Sequence, residues 1–160
     1  MKDYSVIGKS LPRIDARAKA TGAALYTDDL SFPGMLHGRL LRSPHPHARI
    51  VSIDTSRARA LPGVAAIITG ADLPEARYGN WRLFPNTQDE MALARGKVRF
   101  IGDEIAAVAA VDVDTAEEAC ALIKVDYELL PPVLNLDAAL ADGAPLLHDD
   151  TPGNISVVRN

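Results

Sequence analysis

An α+β fold, a mixed sheet carrying short helices, is predicted for this chain by three observations. A strand–helix–strand pattern occurs twice. Val51-Ser-Ile-Asp54-Thr55 runs into a short apolar-faced helix, then a strand and Leu73-Pro74. Val111-Asp-Val-Asp114-Thr115 does the same and closes at Leu130-Pro131. The length, 160 residues, suits one domain with room for a core. Apolar residues at 48% and charged residues at 24% give an ordinary globular balance, which argues against wholesale disorder.

Residues 1–22 hold Gly8, Pro12 and Gly22 among scattered charges without periodicity, so an extended arm with one strand at most is expected. Ala23 to Tyr26 reads as a short strand before the Asp28-Asp29 turn, and Pro33-Gly34 is a turn dipeptide before a strand over 35–42. Ser43-Pro-His-Pro-His47 must be extended, because each proline moves its predecessor out of the helical region. A strand follows over 48–53. Asp54 or Thr55 caps a helix that Pro62-Gly63 ends, and Val64 to Thr69 reads as an apolar strand buried on both faces.

The second unit is clearer. Glu104 to Val111 is a buried strand, and Asp114 with Glu117 makes a capping box. Ala116, Ala119, Cys120 and Ile123 fall on one helical stripe. Val125, Tyr127 and Leu129 alternate with Asp126 and Glu128, as a strand with one wet face would. Pro131-Pro132 stops it, and Leu136 to Leu140 reads as a short helix. The organisation is thus an arm over 1–22, a domain over 23–141 and a linker over 142–160.

Several function classes lose support. A net charge of -4 leaves no electrostatic footprint for nucleic acid, and the basic excess near Lys2, Lys9, Arg13, Arg17 and Lys19 reads as a solvated or partner-contacting arm. No apolar run spans a bilayer and no secretory signal opens the chain, so a cytoplasmic location is expected and the Asn154-Ile-Ser156 sequon is read as chance. The one cysteine, Cys120, reads as a small buried hydrophobe. His37, His45 and His47 lack the carboxylate or cysteine that would complete a metal set and read as structural. Neither phosphate-cradle motif occurs. Gly102-Asp103-Glu104 could supply an acid, with no basic or nucleophilic partner evident beside it. The stretch 75–99 is long for a loop and carries Tyr78, Trp81 and Phe84; contact with a partner or ligand and packing on its own core both stand as readings.

Ordered motifs along nearly the whole chain give a resemblance. They are Arg13-Ile-Asp15-Ala-Arg-Ala-Lys19-Ala-Thr21-Gly22, Pro33-Gly-Met-Leu-His-Gly38, Arg42-Ser-Pro-His-Pro-His-Ala-Arg-Ile50 and Ser52-Ile-Asp54-Thr55. Leu61-Pro-Gly-Val64, Lys97-Val-Arg99, Gly102-Asp-Glu104 with Ala106-Ala-Val108, and Val125-Asp-Tyr-Glu-Leu-Leu-Pro131 complete the set. In these the chain resembles the N-terminal a/b hammerhead domain of the molybdopterin-binding large subunit of the xanthine dehydrogenase/aldehyde oxidase family. Asn80-Trp81-Arg82 and the Gly-Asp-Glu sequence look most like the 4-hydroxybenzoyl-CoA reductase branch.

The resemblance implies a supporting role within a molybdenum-dependent oxidoreductase. Its molybdopterin-type molybdenum cofactor would be held by domains or a subunit outside this chain. Electrons would pass through [2Fe–2S] clusters and FAD in an iron–sulfur subunit and an FAD subunit. No residue takes a catalytic, cofactor-binding or metal role by carry-over. The loop before Lys97 would border the substrate funnel, with Trp81, Leu83 and Phe84 facing a small aromatic substrate, an acyl-CoA thioester being the preferred guess. The alternative is a stand-alone protein-interaction module without turnover.

Overall fold

The computed structural model describes residues 5–79 and 88–156. By contact it forms two compact units, one running to Met35 and one from Leu36 onward. The first holds helix α1 (Ala16–Ala20) and a 3₁₀ turn over Thr27–Asp29. The 1–22 stretch therefore carries a helical turn where an extended arm was expected, and Ala23 to Tyr26 forms no strand. The reason is local: the Asp15 carboxylate binds Arg13 at 2.9 Å and Lys19 one turn on at 2.6 Å, and the Ala-Arg-Ala-Lys-Ala run favours helix. The Lys19 contact holds the Asp15 carboxyl below the ordinary carboxylate range.

The second unit is built from β1 (His37–Arg42), β2 (Ala48–Asp54), α2 (Ser56–Arg59), β3 (Val64–Thr69), β4 (Tyr78–Gly79), β5 (Gln88–Glu90), β6 (Lys97–Val98), β7 (Glu104–Ala110), α3 (Val113–Leu122), β8 (Lys124–Leu129) and α4 (Leu136–Leu140). Small sheets with few short helices are what the chain builds. The strands divide among three sheets, ordered β1-β7-β3, β6-β2-β8 and β4-β5, and each described pairing is antiparallel.

The pairing explains the repeat. Its first copy contributes β2, α2 and β3; its second contributes β7, α3 and β8. Neither copy pairs its own strands. Instead β2 lies against β8, β3 lies against β7, and α2 packs on α3. Each copy supplies what the other needs to bury, so neither would be stable without its counterpart.

Strand β7 is central, and its alternation serves two cores. Ala106, Val108 and Ala110 face the cluster formed with Ile67, Ala58, Ala116, Ala119 and Ile123. Ile105 faces the other way, with Ala48, Ala94 and Val98. Ile53 and Val125 pack against both clusters. The predicted stripe on α3 holds, with Ala116 and Ala119 fully buried.

Two expectations need correction. Strand β3 is not buried on both faces: only Ile67 is buried and Ile68 is 40% exposed, because among the described residues β3 is an edge strand with β7 as its one neighbour. The cap of α3 is Asp112, not Asp114, since the Asp112 carboxylate accepts the Thr115 N–H at 2.7 Å. At α2 the boundary residue is Thr55, while the side-chain acceptor comes from Asp54, whose carboxylate takes the Ser56 N–H at 2.9 Å.

Candidate functional site

Trp81, Leu83 and Phe84 lie outside the described residues. The strands on either side of them are described. β4 and β5 pair antiparallel, Tyr78 opposite Glu90 and Gly79 opposite Gln88, so residues 80–87 connect the two arms of a hairpin. The 75–99 stretch is thus not a bare loop: it also contains β6 and the buried Leu93 and Ala94.

Two cavities adjoin this hairpin. One, of about 440 Å³, is lined by Arg77, Gln88, Asp89, His148 and Asp150. The other, about 110 Å³, is lined by Tyr78, Glu90, Phe100, Asp103 and Glu104 among others. Burial pushes the Asp103 carboxyl up, against the pull of the Arg99 N–H that it accepts at 2.9 Å. Burial and the Arg99 charge push the His148 imidazole down. Glu104 does have a basic partner, contrary to the expectation from sequence. Arg42 donates to its Oε1 at 2.6 Å and to the Gly102 carbonyl at 2.8 Å. The partner is sixty-two residues away along the chain and meets Glu104 only through the β1–β7 register.

The Ser-Pro-His-Pro-His motif acts as a buckle rather than a simple extended link; it bends between β1 and β2. Ser43 is buried, donates its N–H to the Asp103 carbonyl, and accepts the Gly102 N–H at its own carbonyl, both at 2.8 Å. His45 meets the Tyr127 ring edge-on at 4.8 Å. His47 is buried and its Nδ1 lies 2.8 Å from the Pro131 carbonyl. A carbonyl can only accept, so Nδ1 carries the hydrogen, and Nε2 is buried without a hydrogen-bond partner among the described residues. Cys120 is partly buried, and that burial pushes its thiol up, away from nucleophilic thiolate.

In the segment read as a linker, residues 142–156 are held by named contacts. Lys97 donates to the Leu146 carbonyl and to Asp149, Arg99 to the Leu147 carbonyl, and Arg77 to Asp150. Asn154, at φ +57°, accepts the Leu147 N–H and donates to the Ala139 and Pro145 carbonyls. That side chain anchors a turn. Reading it only as a sequon missed this, although an Asn after Pro-Gly is a turn signal.

Among the described residues no three His, Cys, Asp or Glu side chains come together around a common point, so none of them forms a set that would ligate a bare metal ion. The groove richest in positive charge is lined by Arg49, Arg95, Lys97 and Arg99, which contact Glu128, Glu75, Asp149 and the Leu147 carbonyl in turn. No described helix is long and apolar enough to cross a membrane.

Comparison with known proteins follows this geometry. A family model described as aldehyde oxidase and xanthine dehydrogenase, a/b hammerhead domain, matches residues 21–131. The nicotinate dehydrogenase large molybdopterin subunit of Eubacterium barkeri is 41% identical over 159 residues, covering 99% of this chain and 36% of that protein. The xanthine dehydrogenase molybdenum-binding subunit of Escherichia coli O157:H7 is 42% identical over 143 residues, covering 86% of this chain and 19% of its own length. Among solved structures, quinoline 2-oxidoreductase from Pseudomonas putida 86 superposes with a TM-score of 0.84 at 41% identity, over 94% of this chain and 20% of that one. The chain therefore spans about a third or less of these relatives.

Proposed function

Because the chain belongs to the aldehyde oxidase and xanthine dehydrogenase family, as its a/b hammerhead domain, we propose that it serves as the supporting wall of a molybdenum-dependent oxidoreductase. The observation that carries this reading is the coverage: almost all of this chain aligns with little more than a third of a large molybdopterin subunit. When bound by the remaining domains, the molybdenum group supplies the redox chemistry at a substrate carbon. We assign its binding to those domains and give this chain no part in it. The task of this chain is to hold position and to shape access.

Surface composition supports a covered role. In the unit ending at Met35, Val6, Ile7, Leu11, Leu25 and Phe32 are all exposed, and none of its described residues is buried. Isolated exposed apolar residues are normal, but a segment with so many and no core of its own suits burial against further polypeptide. The remaining molybdopterin-binding domains, with iron–sulfur and FAD subunits beyond them, are the proposed partners.

For residues 80–87 we propose the funnel role. Residues 80–87 join the paired strands β4 and β5, and Trp81, Leu83 and Phe84 give that stretch an apolar, aromatic composition. Ring stacking adds roughly 0.5–1.5 kcal/mol beyond burial, which suits a small aromatic substrate, an aromatic acyl-CoA thioester included. Replacing Trp81 and Phe84 together by alanine in the assembled enzyme should raise KM about tenfold, with molybdenum content unchanged. Unaltered KM in the double variant removes the funnel role. Purification without any molybdopterin-bearing chain would remove the enzyme reading itself.

A further inference from the structure

A third cavity lies near the hairpin. It has a volume of about 240 Å³ and lies between the 70–78 turn and residues 91–95. Leu73, Pro74, Met91 and Leu93 give it apolar walls, and Arg77 and Arg95 are the charged residues of its lining. No carboxylate lines it among the described residues.

Its floor is fixed by close backbone approach. A Cβ on Gly70 would stand 2.5 Å from the Ala94 carbonyl oxygen, so the glycine lets the turn press directly on the buried Leu93-Ala94 segment. Tyr78, at the start of β4, closes one side, its hydroxyl 3.4 Å from the Met91 carbonyl.

We infer that this cavity is a binding site for a single-ring aromatic acid, the ring against Leu73, Met91 and Leu93 and the carboxylate on Arg77 and Arg95. Size sets the first limit. A dry cavity of about 150 Å³ holds benzene, so this one accommodates a substituted ring and little more. Charge sets the second. A guanidinium presents five N–H donors in a fork that matches a carboxylate. The ion pairs already present, Arg77 with Asp150 at 2.6 Å and Arg95 with Glu75 at 3.2 Å, each engage one nitrogen of an exposed arginine. Such pairs are weak enough to share their cation with an incoming carboxylate. Placing two arginines beside an apolar hollow with no acid in its lining selects a ligand that is greasy at one end and anionic at the other. The described lining of the site contains none of the three residues proposed for the funnel.

Methionine methyl signals test it, because the chain has three methionines and only Met91 lines the cavity. In intact protein labelled at the methionine methyl carbons, with the Met91 signal assigned by Met91→Leu, benzoate should move that signal saturably with a Kd near about 1 mM. The Met35 signal should stay in place. Benzyl alcohol, which keeps the ring and lacks the charge, should bind about tenfold more weakly, and acetate should leave the Met91 signal where it is. Arg95→Gln should weaken benzoate several-fold while leaving benzyl alcohol unchanged. A Met91 signal indifferent to benzoate at about 20 mM overturns the site. Equal binding of benzoate and benzyl alcohol overturns the arginine role, and an equal response to acetate reduces it to a surface ion effect. Because the readout needs no turnover, it stands apart from the test of the funnel.

Discussion

The two strand–helix–strand units are built to one plan and buried to different depths. β3 (VAAIIT) and β7 (EIAAVAA) are comparable apolar runs, and they pair with each other. Yet β7 buries Ile105, Ala106, Val108 and Ala110, while β3 buries Ile67 alone. The difference is place in the sheet: β7 has β1 on one side and β3 on the other, and β3 has a neighbour on one side only. The helices follow suit. α3 has ten residues and a side-chain cap at its own boundary, whereas α2 has four and takes its acceptor from the residue before. What a strand buries is decided by its neighbours, and composition alone overstates it.

The sharpest way to break this comparison is to put the same charge in both strands. Val108→Asp places a carboxylate among the buried apolar side chains of the main cluster and should cost more than about 4 kcal/mol, enough to unfold a typical domain. Ile68→Asp, in the neighbouring strand but on its exposed side, should cost under about 1 kcal/mol. Urea denaturation of the two variants distinguishes them. Similar losses would mean that β3 is as buried in solution as β7 and that the edge argument fails.

The next effect is at the junction between the units. Gly63 precedes β3 at φ +94°, and its carbonyl accepts the Val111 N–H at 2.9 Å. A Cβ there would meet Val111 Cγ2 at 2.9 Å and Thr115 Cγ2 at 3.2 Å, at the start of α3. Gly63→Ala should therefore cost about 2 kcal/mol, from the left-handed backbone and the contact together. The corresponding helix exit in the second unit, Ile123, is extended at φ −69° and needs no glycine. A Gly63→Ala protein as stable as its parent would show that the two units do not lean on each other at this point.

How much of this was legible in the sequence follows from the range of each interaction. Helix stripes, the Pro62-Gly63 stop and the alternation of Val125 and Tyr127 are local, and the residues state them directly. Which strand pairs with which is not local, so the exchange of partners between units, with Ile67 opposite Val108, leaves no mark in either segment alone. The same holds for the Arg42–Glu104 contact and for His47 reaching Pro131, both spanning more than sixty residues. The apolar cavity was hidden for a further reason. Its walls come from residues 70–78 and 91–95, on the two sides of a stretch that read as loop, and the hairpin pairing folds them together. The funnel residues Trp81, Leu83 and Phe84 were singled out by composition and by resemblance, and their proposed role still rests on those.

The smallest expected effect separates the two helix caps by their response to acid. The Thr115 N–H bond holds the Asp112 carboxyl below its ordinary 3.8, so the unfolded chain takes up a proton more readily than the folded one. The stabilisation is then complete above that ordinary value and is lost as pH falls through the lower folded value. Asp112→Asn keeps an acceptor at the cap and removes its titration, so it should flatten part of the acid-side fall in stability while leaving neutral stability nearly unchanged. Asp112→Ala should lower neutral stability as well. Asp54 is likewise held down, chiefly by Ser56, but it caps only four residues of helix, so Asp54→Ala should matter less at neutral pH than Asp112→Ala. Melting curves across about pH 2–7 would show this order; if Asp54→Ala were the more damaging, helix length would not be what distinguishes the two units, and the weight of the comparison would shift from α3 to the turn that opens α2.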